Sequence, residues 1–125
     1  MKEIYKFIIP LPPVTKKNNS CIYYNKSTGK PFICPSDRYR QYEKDFILLC
    51  PKIPLIDYPI NLKSIYYMPT KRKVDLINLH SALHDCLVKS NVLLDDNCSI
   101  IVSTDGSKVE YDKINPHTYI EITPL

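Results

Sequence analysis

Three aspartates are the residues of this sequence best suited to chemistry. Asp75 stands where a helical pattern begins, and Asp95 and Asp96 follow that pattern as an adjacent pair. Carboxylate oxygens are the hard ligands that Mg²⁺ prefers, with water filling its remaining positions. Asp75 has a structural alternative, because an aspartate before a helix commonly caps it by accepting a hydrogen bond from a first-turn amide. The sequence therefore leaves two roles open for Asp75, helix cap and metal ligand.

Two histidines within the same helical pattern offer a second candidate metal site. His80 and His84 are four residues apart, a spacing that lets two imidazoles share a transition metal. Ser81 follows His80, so the His-Glu-x-x-His motif of zinc proteases is absent. We expect two surface or interface histidines and keep a metal site as the alternative.

Composition excludes several classes of protein. The chain has 125 residues, a usual size for a single domain, and its 17 Lys plus Arg against 13 Asp plus Glu give a net charge of +4. That mild excess permits a polyanionic partner without requiring one. With only two glycines, a phosphate-cradling loop is excluded, and with it nucleotide-dependent kinases, ATPases and Rossmann dehydrogenases.

The five cysteines include no Cys-x-x-Cys pair, which argues against zinc ribbons and favours a reduced, cytoplasmic compartment. No apolar run is long enough for a signal peptide or a membrane span.

The order of elements predicts one α+β domain over residues 1–125, with two helices packed on a mixed β-sheet in the order β-α-β-α-β-β. Strands are predicted over 4–11, 60–68 and 117–122, and helices over 37–50 and 75–90. Ser36 is the predicted N-cap of the first helix, and Asn91 the left-handed residue that ends the second. We also expect an exposed hairpin within 21–34 and a second hairpin that turns at Asp105-Gly106.

Basic residues cluster where a polyanion could reach the acids. A run of three leads directly into Asp75, and two lysines stand in the proline-rich loop PLPPVTKKN. DNA binding needs cations placed on phosphates. The predicted DNA-binding residues are Lys16, Lys17, Lys71, Arg72 and Lys73. A weaker basic group on the first helix contains Arg38, Arg40 and Lys44.

The stretch KRKVDLINLHSALHDCLVKSNVLLDDNCSII combines these features in one order. A basic run, then Asp-Leu-x-Asn-Leu, a helix with an Asp within it, and Asp-Asp before a strand resembles the RusA family of Holliday-junction resolvases. The opening strand and the PLPPVTKKN loop resemble that family more loosely. The resemblance implies that Asp75 is the first metal ligand and Asp96 the last. It places Asn78, Asp85 and Asp95 at characteristic positions of the motif.

Two positions depart from the family pattern. Ile77 stands where the family has a second acid, and Ser81 stands where it has a lysine. Isoleucine cannot bind a metal and serine carries no charge, so an ion on the two remaining carboxylates is held less tightly. Asp95 is the first reserve carboxylate, because it adjoins Asp96. Asp105 is a second, although a hairpin-turn role suits it better.

The resemblance implies a Mg²⁺-dependent endonuclease, with Mn²⁺ as a substitute, that resolves four-way junctions or other branched DNA by paired phosphodiester hydrolysis. Its catalytic residues would be Asp75, Asp95 and Asp96, with Asp75 and Asp96 as the metal ligands. It would use no nucleotide cofactor and no membrane, and it would act in the bacterial cytoplasm as a phage or prophage protein.

A four-way junction has two-fold symmetry, so paired nicks require a homodimer with two sites. The expected contact includes one strip of the second helix, formed by Ile77, Ser81, His84 and Val88. Two alternatives stay open. One is a dimer that only binds branched DNA, having lost its chemistry through Ile77 and Ser81. The other is a small protein-interaction domain whose acids are merely caps and turns.

Overall fold

The structure, a computed structural model, describes residues 2–16, 20–24, 26–35 and 37–125. Its elements are β1 (Tyr5–Ile9), β2 (Ser20–Tyr24), β3 (Pro31–Pro35), α1 (Asp37–Leu49), β4 (Ile60–Met68), α2 (Leu76–Lys89), β5 (Ile101–Ser103), β6 (Lys108–Tyr111) and β7 (His117–Pro124). The predicted α+β domain, with two helices on a mixed sheet, is confirmed. The predicted DNA contact Lys17 and the predicted helix cap Ser36 lie outside the described residues.

The sheet is built around β7, which lies between β1 and β4 and pairs antiparallel with both. β5 and β6 pair with the other edge of β4, and both are parallel to it. Because side chains alternate along a strand, every second residue of β4 and β7 points to the same face. The residues buried on that face are Ile60, Leu62, Ser64, Tyr66, Thr118, Ile120 and Ile122.

Both helices cover this face with an apolar stripe, and the strands and helices share one core. The residues that they bury are Tyr39, Tyr42 and Phe46 of α1 and Leu79, Ala82, Leu83, Cys86 and Leu87 of α2. Lys89 of α2 donates to Glu43 of α1 at 2.7 Å, which joins the two helices at the surface. No helix in the described ranges is long and apolar enough to cross a membrane.

The segment β4–α2–β5 is a crossover between two parallel strands, since Ile60 of β4 pairs with Ile101 of β5. A parallel pair needs its connection to return to the end where the first strand began. α2 therefore begins near the C-terminal end of β4 and ends near the N-terminal end of β4. The left-handed residue expected after this helix is confirmed, because Asn91 has φ 60°. The expected first hairpin is confirmed as the antiparallel pair β2–β3.

The predicted hairpin at Asp105-Gly106 is wrong. β5 and β6 do not pair with each other, because each pairs with its own portion of β4. They form one edge strand that is interrupted by a loop over 104–107. Gly106 adopts φ +88° in this loop, so the glycine serves a left-handed position without making a hairpin.

Hydrogen bonds from the side chain of Asn61 explain why the loop bulges instead of reversing the chain. The Asn61 Oδ1 atom accepts from the Ser103 hydroxyl at 2.6 Å and from the Asp105 amide at 2.9 Å. The Asn61 Nδ2 atom donates to the Asp105 carbonyl at 3.2 Å. One side chain of β4 thus holds the end of β5 and the start of the interruption against β4, a contact that no local turn signal reveals.

We predict that Asn61→Ala lowers the free energy of unfolding by about 1–3 kcal/mol, because the partners of its side chain lose their hydrogen bonds in a half-buried place. Urea unfolding followed by circular dichroism measures the change. Asn115→Ala is the matched control, since the hydrogen bonds of Asn115 use its backbone atoms. Equal stability losses in the two variants would contradict the anchoring role of Asn61.

Candidate functional site

Asp75 occupies the cap position of α2 without performing the cap function. Its backbone is extended (φ −82°, ψ 125°), and its side chain makes no hydrogen bond to a first-turn amide. The residue is exposed, and Asn78 Nδ2 donates to its Oδ2 atom over a long distance of 3.4 Å. The helix is instead closed by its own backbone, with the Leu79 amide donating to the Asp75 carbonyl. The Asp75 carboxylate is therefore available to another ligand.

The two adjacent acids have different surroundings. The carboxylate of Asp95 closes a turn, because Oδ1 accepts from the Asp96 amide at 2.7 Å and Oδ2 accepts from Asn97 Nδ2 at 3.0 Å. Asp96 is exposed, and no residue in the described ranges hydrogen-bonds its carboxylate. Of the pair, Asp96 is the acid whose oxygens are open to a metal, and Asp95 holds the turn that presents it.

Within one chain, Asp75 and Asp96 stand at opposite ends of α2. The helix has 14 residues, which at 1.5 Å per residue span about 21 Å. Beyond it, the Leu94 amide donates to the Ile56 carbonyl at 2.9 Å, which fixes the acid pair beside the helix C-terminus. The chain turns back along the sheet only at Ile101, after the acids have passed. The strand that follows therefore does not return the acid pair to Asp75 within one chain. The described ranges contain no group of three or more His, Cys, Asp or Glu placed for a metal.

The basic residues predicted for DNA divide into three environments. Lys16 forms an ion pair with Asp85 of α2 and lies 5.7 Å from the ring centroid of Tyr39. Lys71 lies over the ring of Tyr111, with Nζ 5.2 Å from its centroid. Arg72 and Lys73 are exposed, and both line a cleft of about 260 Å³. The cleft extends to Val74, the residue before Asp75.

The contact between Lys16 and Asp85 gives this motif aspartate a structural partner. Both side chains are about one third exposed (33% and 29%), so the pair is partly shielded from water. The ion pair joins the proline-rich loop to α2, and Lys16 also lies near Tyr39 in the first turn of α1. The role of Lys16 in DNA binding stays a prediction, and its present partner is an acid of its own chain.

The two histidines of α2 are stacked, with ring centroids 5.2 Å apart and 16° between the ring planes. The hydroxyl of Tyr66 lies 2.7 Å from His80 Nδ1. Burial raises the pKa of the Tyr66 hydroxyl and lowers the pKa of His80, so the hydroxyl donates to a neutral imidazole. Sequence patterns could not reveal this contact, since Tyr66 and His80 are 14 residues apart and belong to different elements.

His84 is the more deeply placed of the two. Its Nε2 atom is buried, and no residue in the described part of the chain hydrogen-bonds it. Burial, followed by the neighbouring His80, lowers the pKa of His84 to about 4. The stacked pair therefore contacts β4 through the bond between His80 and Tyr66.

We predict that His84 makes the protein less stable in mild acid. Its pKa is lower in the folded chain than in the unfolded one, so the unfolded state binds more protons between the two values. Stability is therefore full above about pH 6.5 and falls as the pH drops towards about 4. At about pH 5 the loss due to this one group is on the order of 2 kcal/mol.

The measurement is urea unfolding at about pH 7.5 and about pH 5, for the wild type and for His84→Gln. The variant should show a smaller difference between the two pH values, whatever its stability at either one. His117→Gln is the control, because His117 stacks on Tyr67 outside the α2 histidine pair. If His84→Gln showed the same difference in unfolding free energy between the two pH values as the wild type, His84 would not be the source of the acid sensitivity.

The family model described as Endodeoxyribonuclease RusA matches residues 10–123. The match includes the proline-rich loop, the basic run, α2 and the acid pair that follows it. No curated protein sequence matches the chain.

Proposed function

Because the chain belongs to the RusA family of endodeoxyribonucleases, we propose that it is a divalent-metal-dependent nuclease that resolves four-way DNA junctions by paired phosphodiester hydrolysis. The family is one of Holliday-junction resolving endonucleases that act on branched DNA. One observation carries the proposal for this chain. Asp75 and Asp96, the two acids at the family's ligand positions, are both exposed, and among the described residues neither carboxylate is occupied by a cap or a turn.

The donors fit Mg²⁺, with Mn²⁺ as a substitute. Asp75 and Asp96 offer the hard oxygen ligands that such ions take, in places open enough for water to complete the coordination. When bound, the ion would supply a Lewis acid for phosphodiester hydrolysis and balance the charge of the transition state. Asp95 is proposed to serve catalysis by shaping the turn that orients Asp96, since its own oxygens are engaged in that turn.

A site that contains both acids requires two copies of the chain. Since about 21 Å of helix separates them in one copy, Asp75 of one protomer can meet Asp96 of its partner if two α2 helices run antiparallel about a two-fold axis. This arrangement creates two equal sites, as the two-fold symmetry of a four-way junction demands. On the strip proposed for this contact, Ile77 and Ser81 are exposed, whereas His84 and Val88 are partly covered within the chain.

The binding-only alternative is favoured by one observation. Ile77, at the position of the family's second acid, is 78% exposed beside Asp75. An apolar side chain there adds no ligand and no charge, so the ion depends on fewer carboxylates. Nicking that is weak or absent, together with firm junction binding, is the signature of this alternative. The cytoplasmic setting and the phage or prophage origin stay predictions.

We predict that Asp75→Asn and Asp96→Asn each abolish nicking of a labelled four-way junction, and that mixing the two inactive variants restores it. In the proposed dimer, one site of the mixed pair combines both substitutions and the other combines both intact acids. If each site lay within one chain, every site in the mixture would carry a substitution and no activity would return. The measurement is gel analysis of nicked product in Mg²⁺, with a chelator as the blank.

The mixture requires subunit exchange, so the two variants are co-expressed with different tags and purified for both. Asp112→Asn, a change to a turn aspartate far along the chain from α2, is the control for the loss of one carboxylate. Nicking by either single variant, or an inactive co-purified mixture, would contradict the shared site. Firm junction binding without nicking by the wild type would establish the binding-only alternative.

We also predict that Ile77→Asp lowers the Mg²⁺ concentration for half-maximal nicking severalfold, because an added carboxylate beside Asp75 increases the ligand charge. The exposed position tolerates the change without loss of core packing. Ser81→Asp, which adds the same charge one helical turn further on, is the matched control. An equal shift in both variants would mean that general negative charge, and not ligation, attracts the ion.

A further inference from the structure

We infer that Arg38, at the start of α1, joins Arg72 and Lys73 in a cleft that binds a phosphodiester of the DNA strand entering the site at Asp75. The inference rests on the proposed function, since it names how the substrate strand is held. It selects Arg38 from the weaker basic group on the first helix and places it with two of the predicted DNA-binding residues.

Three separate segments form the cleft, which has a volume of about 260 Å³. Pro13, Val14 and Thr15 of the proline-rich loop form one wall. Residues of the connector after β4 form another, namely Met68, Pro69, Thr70, Arg72, Lys73 and Val74. Arg38 closes the cleft from the start of α1. The loop residues are buried and Thr15 is 3% exposed, so this wall belongs to the packed body of the domain.

The charge of the cleft has one sign. Its lining includes two arginines and a lysine, and no acidic side chain within the described residues. A second concavity that Arg38 also lines, of about 310 Å³, contains Asp45 and so lacks this uniform charge. Guanidinium groups match phosphate oxygens with paired donors, which makes two arginines and a lysine a suitable set for a phosphodiester.

The position of the cleft selects DNA backbone over a free small anion. Val74 lines the cleft and Asp75 follows it in the chain, so a phosphate bound there would lie beside the first candidate metal ligand. The apolar wall of Met68, Pro69 and Val74 suits the sugar edge of a strand. No aromatic ring lines the cleft among the described residues, so the contact is with the backbone and not a stacked base, and it is insensitive to sequence.

Neighbouring contacts hold the segments that line the cleft. Lys16, which follows Thr15, is ion-paired with Asp85, and this holds the loop wall against α2. The Arg72 amide donates to the Thr70 hydroxyl at 3.4 Å, a local turn that bends the connector after β4. Tyr39, the neighbour of Arg38, is 2% exposed and anchors the first turn of α1 in the core. Arg38 therefore stands on a fixed backbone, which is what a positioned phosphate contact needs.

The test compares Arg38→Gln with Arg40→Gln in binding to a fluorescein-labelled four-way junction, in chelator so that nothing is cut. Arg40 is the matched control because it is exposed on the same helix, is paired with Asp37 at 3.9 Å and does not line the cleft. Fluorescence anisotropy over a series of salt concentrations gives the dissociation constant and the slope of log affinity against log salt.

The expected result is that Arg38→Gln weakens binding severalfold and reduces the salt slope by about one, equally for junctions of different sequence. Arg40→Gln keeps the wild-type slope, and Arg38→Lys recovers most of it. Equal slopes for Arg38→Gln and Arg40→Gln, with firm binding by the wild type, would overturn this inference and leave the proposed function standing. Failure of the wild type to bind the junction at low salt would overturn both. Circular dichroism of each variant confirms that the fold is kept.

Discussion

The parallel crossover from β4 through α2 to β5 is the constraint on which the candidate site depends. A helix rises by a fixed amount per residue, so the 14 residues of α2 hold Asp75 and Asp96 about 21 Å apart. The sheet cannot shorten this distance, because β5 pairs with the start of β4 and not with its end. A metal ion bound by both carboxylates needs Asp75 and Asp96 close together, and α2 keeps them apart. The proposed dimer follows from this separation.

Local hydrogen bonds then divide the acids by role. Asp85 is paired with Lys16, and Asp95 is taken up by the amides of its own turn. Asp75 and Asp96 are left with carboxylates that face solvent. A sequence motif presents all four as equals, since it records only that an acid stands at each position. The difference between an acid that holds the fold and one that is free to act appears only when the partner of each oxygen is known.

Much of the fold could be predicted from the sequence because its signals are local. The alternating pattern over 60–68 and the helical periodicity of α2 can each be read from consecutive residues. Asparagine is a residue type that commonly adopts the left-handed conformation after a helix, as Asn91 does. The hairpin at Asp105-Gly106 failed because a distant side chain, that of Asn61, competes for the same backbone groups. The position of Arg38 in the cleft could not be predicted for the same reason. Helix periodicity shows that Arg38 is on the exposed face of α1, but it does not show that the proline-rich loop and the connector after β4 lie next to it.

The interruption between β5 and β6 has a consequence for how the protein behaves at high concentration. In the described part of the chain these two strands form the outer edge of the sheet, and an open edge with unpaired amides and carbonyls can recruit a strand from another molecule. Here the edge is divided into pieces of three and four residues, and the second piece carries the charged pair Lys108 and Glu110. A strand from another molecule would have to pair with a short, interrupted and charged sheet edge. The bulge held by Asn61 therefore also disfavours aggregation through this edge.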